Sequence, residues 1–270
     1  MNLPADRLET LNFELETKNM EWYFILALIG TGLAAGFINT TAGGGSMLTL
    51  PLLMFLGLPA NVANGTNRIA ILLQNIIGVN TFRQKKVLDL TTDYKLAIPA
   101  VIGSVIGAFV AVEIESALLE KVIAGLMVVL FFLVVFKPEI WVKEQAGKVS
   151  GKPSVLQYVI FFFIGLYGGF IQMGVGLFLL AGLVLGSGFD LVKANAVKVL
   201  IILLYTVFSL GVFIYHGQVN IVAGLILAAG NMGGAWLGAN FAVKGGAKYV
   251  RYVLLLSLVI VILNLFGVFG

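Results

Sequence analysis

The sequence predicts an all-α integral membrane protein made of two inverted-topology repeats of about five helical segments each, with short interrupted helices at the midplane. Three observations carry that prediction. Hydrophobic residues make up 60% of the chain and charged residues 11%, a balance that lipid accepts and that a soluble domain has no way to bury. Apolar stretches that approach a full membrane span, about 20 residues, alternate with two that are too short, Met47–Leu58 and Leu177–Gly186. Each short stretch follows a glycine-containing break and precedes a long helix with polar residues inside it, so the order long, short, long, long, long occurs twice.

Taken in order, residues 1–21 carry Asp6, Glu9, Glu14, Glu16 and Glu21 with no basic run ahead of the first apolar stretch, which argues against a signal peptide. Leu8, Leu11 and Leu15 share one helical face, as in an amphipathic segment lying on the membrane surface. The first repeat spans 22–136, with apolar segments at 22–41, 46–58, 61–82, 94–112 and 117–136. A lysine-bearing linker, 137–153, leads to the second repeat, 154–270, with segments at 154–173, 176–187, 191–215, 219–243 and 248–269. Short matches support a duplication. "GFI" at Gly36–Ile38 returns at Gly169–Ile171, and "ANGTNR" at Ala63–Arg68 faces "ANAVKV" at Ala194–Val199.

Charge orients the chain. Arg83, Lys85, Lys86 and Lys95 follow the third segment, Lys137, Lys143, Lys148 and Lys152 lie in the linker, and Lys244, Lys248 and Arg251 follow the ninth. Threading puts the three clusters on one face, cytoplasmic by the positive-inside rule, and both termini outside. This holds whether the short segments cross or turn back, because either choice keeps the parity. With an odd number of segments per repeat, the two halves run in opposite directions.

Composition also narrows the chemistry. There is no cysteine, one histidine and 13 acidic residues, which leaves no thiolate site and no evident metal cluster or catalytic constellation, so no enzyme and no cofactor are expected. The net charge of +4 comes from loop lysines rather than a nucleic-acid surface. The expected partners are the bilayer and a small anion.

The stretch "FINTTAGGGSMLTLP", Phe37–Pro51, carries the main motif. Asn39 precedes three successive glycines, Gly43, Gly44 and Gly45, and a helix restarting at Ser46 would present N–H groups backed by the positive end of its dipole. Glycine lets that backbone approach an anion closely. Irregular backbone at such depth is tolerated only beside protein or a water-filled cavity, although small residues also serve close helix packing. Gln172, Gly174 and Gly176 in "QMGVGLF" read as a second break.

Arg68, about two turns into the third segment, is costly in lipid, on the order of 2.5–3.5 kcal/mol, and is expected to face a cavity or a partner. Asn64 and Asn67 share its polar face, with Gln74 and Asn75 further along. Asn195 and Lys198 occupy the matching part of the eighth segment, continued by Tyr205 and Ser209, and Asp190 reads as that helix's N-cap. His216 reads as an outer loop residue. Arg68 and Lys198, entering from opposite faces, are expected to converge on one anion.

"AGFINTTAGGGSMLTLPLLMFLGLPANVANGTNRIA" followed by "FRQKKV" closely resembles the first half of the TauE/SafE sulfite exporter family. "GGFIQMGVGLFLLAGLVLGSGFDLVKANAVK" resembles its second repeat, with fewer glycines at the second break. The resemblance implies export of sulfite or small organosulfonates from a bacterial cytoplasm through two inverted repeats in the inner (cell) membrane. From the residues alone, a cation-coupled transporter or channel and a non-transporting membrane scaffold stay open as alternatives.

Overall fold

The computed structural model describes residues 22–90, 94–136 and 153–265. The surface segment expected at 1–21 and residues 137–152 of the linker lie outside them. The described elements are α1 (Trp22–Thr41), α2 (Ser46–Phe55), α3 (Ala60–Gln84), α4 (Ala97–Glu113), α5 (Ser116–Phe136), α6 (Val155–Phe170), α7 (Val175–Ala181, continued by a π-helical turn over Gly182–Gly186), α8 (Leu191–Tyr215) and α9 (Ile221–Leu265). Local chemistry sets several starts. Asp190 accepts from the N–H groups of Val192 and Lys193 at the head of α8. Ser154 and Gln157 form a reciprocal capping box at the head of α6.

The expected segments match these helices closely, with one correction. The sequence reading separated 219–243 from 248–269 by a cytoplasmic turn at Lys244–Lys248, whereas α9 is a single helix of 45 residues through that region. At roughly 1.5 Å per residue it far exceeds the about 30 Å of a hydrocarbon core. Two adjacent glycines, Gly245 and Gly246, lower helix propensity without forcing a break. Without a turn at Lys244 there is no return crossing among the described residues, where the second half comprises four elements rather than five.

The faces are sorted as lipid requires. On α4, Ala100, Gly103, Ser104, Gly107 and Ala108 are buried, while Ile98, Ile102, Ile106, Phe109 and Val110 are exposed. The small face packs on α6 and the large aliphatic face is left for acyl chains. Three described helical stretches, Trp22–Thr41, Leu191–Tyr215 and Ile221–Gly245, are long and apolar enough to cross a membrane on their own. The 25-residue α3 is not among them because its buried face is polar: Asn64, Thr66, Asn67, Arg68, Gln74, Asn75 and Thr81.

Close backbone contacts give helix directions. Gly32 and Gly36 of α1 lie against Leu227 and Asn231 of α9, so these two helices run parallel. Gly165 and Gly169 of α6 lie against Ala100 and Ser104 of α4, also parallel. The partners recur at fixed spacings, 133 residues for the first helices (32 to 165, 36 to 169) and 127 for the others (100 to 227, 104 to 231). In contrast, α3 and α8 are antiparallel. Arg68 reaches Ser209, Gly78 abuts Val199, and the Lys193 ammonium donates to the Val87 carbonyl. The further packing pairs α3 with α9 and α4 with α8 likewise exchange when the halves are swapped.

The short helices do not cross. A Cβ on Gly45 would fall 2.1 Å from the Ala35 carbonyl oxygen, and the Ser46 N–H donates to Asn39 Oδ1, so the chain folds back on α1 after the glycines. In the second half, the Gln157 amide donates to the Gly186 carbonyl and to Ser187 Oγ, and the Tyr167 ring packs edge-on against Phe178. Each half therefore opens with a re-entrant helical hairpin, α1–α2 and α6–α7.

Candidate functional site

The two hairpin tips meet back to back. A Cβ on Gly43 would stand 2.4 Å from the Gly176 carbonyl carbon, and one on Gly176 would stand 2.5 Å from Gly43 Cα. Neither position has room for a side chain, and Gly43 is in addition left-handed, at φ 89°. Gly174 opens α7 in the same left-handed region, at φ 68°. Residues Ala42 to Met47 and Gln172 to Leu177 are buried.

The three successive glycines have different reasons to be glycine. Gly43 is dictated by conformation and by Gly176, and Gly45 by the Ala35 carbonyl. Gly44 is buried, yet nothing lies within 4 Å of where its Cβ would stand. Among the described residues, no hydrogen bond uses the N–H groups of Gly44 or Gly45, nor those of Gly174, Val175 or Gly176. Buried N–H groups normally find partners, so two half-helix starts present unpaired donors around the Gly43–Gly176 contact. The Ser46 N–H, expected to belong to this set, is already taken by Asn39 Oδ1.

Arg68 and Lys198 are both fully buried, and each crosses to the other half. The Arg68 guanidinium donates to the carbonyls of Gly168 at 3.1 Å and Gly169 at 2.6 Å, at the C-terminal end of α6. It also reaches Asn64 Oδ1, Gln172 Oε1 and Ser209 Oγ, and its carbon stands 4.4 Å over the Phe213 ring. Its Nε has no partner among the described residues. The Lys198 ammonium donates to the carbonyls of Asn39 at 2.8 Å and Thr40 at 3.3 Å, at the C-terminal end of α1, and to Asn195 Oδ1. A broken helix leaves carbonyls without donors and a partial negative charge at its end. Each break is thus capped by a cation from the opposite half.

This changes the picture of converging cations. Arg68 is level with Ser209, whereas Lys198 adjoins Val199, which faces Gly78. Arg68 and Gly78 are ten residues apart on α3, about 15 Å at the helical rise. A small oxyanion does not span that distance, so one ion does not touch both side chains. The antiparallel crossing places one cation at each tip.

The other expected site residues fall around this centre. Asn64 donates to the Phe170 carbonyl, Asn67 accepts from Thr49, and Gln172 donates to Thr206. Asn195 donates to the Leu191 carbonyl and accepts from Lys198. The sequence reading missed Asn231. Its amide and that of Asn39 both donate to Gln74 Oε1, and its own Oδ1 is buried without a partner. The signal was present: Asn231 is a lone carboxamide in the apolar run "ILAAGNMGGAW". Ser104, its counterpart in the glycine contacts, was equally overlooked and reaches the Tyr205 carbonyl. His216 caps the end of α8, 3.9 Å from Glu113. Lys193 is half-buried, with its ammonium at the loop after α3.

Apolar, lipid-facing helices around two broken hairpins with a buried polar centre define a polytopic membrane protein of the transporter class. The chain belongs to the sulfite exporter TauE/SafE family, whose sequence model matches residues 28–265. It is 27% identical over 239 residues to a probable membrane transporter protein, ORF9, of a Sinorhizobium species, covering 88% of this chain and 91% of that one. It is 29% identical over 243 residues to the probable membrane transporter protein YfcA of Escherichia coli, covering 88% and 89%. A probable membrane transporter protein of Haemophilus influenzae is 27% identical over 229 residues, covering 83% and 87%. No solved structure matches.

Proposed function

We propose that this chain exports a small sulfur oxyanion, sulfite or an organosulfonate, from the bacterial cytoplasm across the inner membrane by alternating access. The observation that carries the reading is the buried meeting of the two hairpin tips. Gly44 leaves space there, and the N–H groups of Gly44, Gly45, Gly174, Val175 and Gly176 have no partner among the described residues. Arg68 and Lys198 sit one at each tip and raise the local potential, so an anion gains from entering a centre that excludes cations. In this reading the amides make the contacts, Arg68 Nε is a further free donor, and Asn64, Asn67, Gln172 and Asn195 hold the surroundings. The family name supports a sulfur oxyanion, and the basic centre supports an anion over a metal cation.

The repeated glycine contacts and the antiparallel α3 and α8 support two halves, 22–136 and 154–270, related by inversion. Rocking one half against the other would then open the centre to each face in turn. The basic turns after α3 and before α4 support a cytoplasmic placement of that face and an external N-terminus. Moving one negative charge outward against a cytoplasm-negative potential gains about 2.3 kcal/mol per 100 mV, so export needs no obligatory coupling ion. The test is flux of sulfite through the purified protein in proteoliposomes, against sulfate and chloride. Saturable sulfite movement above that of protein-free vesicles supports the reading. Equal fluxes with and without the protein would refute it.

A further inference from the structure

The ammonium of Lys198 donates to three oxygens. Two of its acceptors are the carbonyls of Asn39 and Thr40, and the third is the carboxamide oxygen of Asn195. The two carbonyls are free because the α1 ladder ends there. The Gly43 N–H turns to the Ile38 carbonyl, already used by Ala42, instead of to Asn39, and among the described residues the Gly44 N–H does not reach Thr40. Three acceptors match the three N–H bonds of a charged ammonium. The three helices that meet around it, α1, α3 and α8, contain no acidic residue. Carbonyls at the end of an interrupted helix, joined by a side-chain oxygen, are the donor set with which secondary transporters hold a small coupling cation.

We infer that Lys198 is a tethered cation, standing on an oxygen cluster at the end of α1 that would otherwise bind a free monovalent cation. The positive charge that closes the α1 break is therefore part of the chain. It cannot dissociate with each cycle, and the wild-type protein requires neither Na⁺ nor K⁺ to organise its first hairpin. The other tip differs in kind. Arg68 meets α6 with a planar fork spread over five acceptors, which is not a cluster around a point charge. Only the Lys198 position is convertible to an ion site by truncation. The inference rests on the transporter reading for its flux arm alone, because the binding arm needs no substrate.

The experiment compares purified wild type with Lys198→Ala and Lys198→Met. Thermal unfolding midpoints are measured in choline, sodium, potassium and ammonium chloride at equal ionic strength. The wild-type midpoint is expected to be the same in all four salts. Lys198→Ala is expected to unfold earlier in choline and to recover with one of the small cations. The rise should saturate, on the order of 5 °C once the cation exceeds its Kd about a hundredfold. Lys198→Met fills the lysine's channel with an uncharged stem and should not respond. Where Lys198→Ala is folded, sulfite flux should return with the same cation and the same concentration dependence. Should Lys198→Ala yield no folded protein in choline, recovery in ammonium or sodium chloride is the supporting result, and failure in every salt overturns the inference. A salt response identical in wild type and Lys198→Ala, or a folded Lys198→Ala without a saturable response, overturns it too. Loss of sulfite flux in wild type would count against the proposed substrate and leave the cation-binding result standing.

Discussion

Substituting the glycines one at a time separates packing from function at the first break. Gly43→Ala forces a Cβ into a left-handed residue, which costs roughly 1–2 kcal/mol. The same atom meets the Gly176 backbone at 2.4 Å, and overpacking of a filled site adds about 1–3 kcal/mol. The sum, about 2–5 kcal/mol, is a large part of a folded protein's stability, typically about 5–15 kcal/mol. Gly44→Ala adds a methyl where nothing lies within 4 Å, so its effect on unfolding should be far smaller than that of Gly43→Ala. Gly44→Leu carries the side chain further into the space beside the unpaired amides, and should abolish sulfite flux in a protein that still folds. The assay pairs thermal unfolding in detergent with flux in proteoliposomes for all three variants. A folded Gly44→Leu that moves sulfite at the wild-type rate would refute the reasoning. The glycine run would then serve packing alone, and the anion site would lie elsewhere.

Arg68→Gln leaves the Gly168 and Gly169 carbonyls without their charged donor and should lower stability by roughly 3 kcal/mol, along with most of the flux. Arg68→Lys should recover part of both, since it keeps charge without the two-pronged fork, and unfolding midpoints read beside flux measure this. Gln157→Leu removes the bonds to Gly186 and Ser187 that pin the far end of the second hairpin. It should cost about 1–2 kcal/mol and speed hydrogen exchange over residues 182–190 ahead of the rest of the chain. For topology, a cysteine at Glu113 should react with an impermeant thiol reagent in intact cells and one at Lys85 should not. Reaction at Lys85 alone would invert the orientation.

Much of this was legible in one dimension. Apolar length marks a helix wherever lipid is the solvent, because an unpaired backbone is expensive there, and so α1, α5 and α8 begin and end within a residue of where hydropathy puts them. The Asp190 cap is equally local, a side chain bonding N–H groups two and three residues ahead. The glycine run announced a break, but its three members were indistinguishable in sequence. What separates them is a neighbour far along the chain: Gly176 for Gly43, and open space for Gly44. Lys244–Lys248 misled because charge and glycine look like a turn, while backbone hydrogen bonding carries α9 straight through. The cations show the limit most clearly. Their cost in lipid demands a partner, and the sequence could name only an acid or a substrate, since backbone carbonyls are present at every residue and carry no signal. Only folding shows that two broken helices end in free carbonyls, and that the antiparallel packing of α3 and α8 delivers one cation to each.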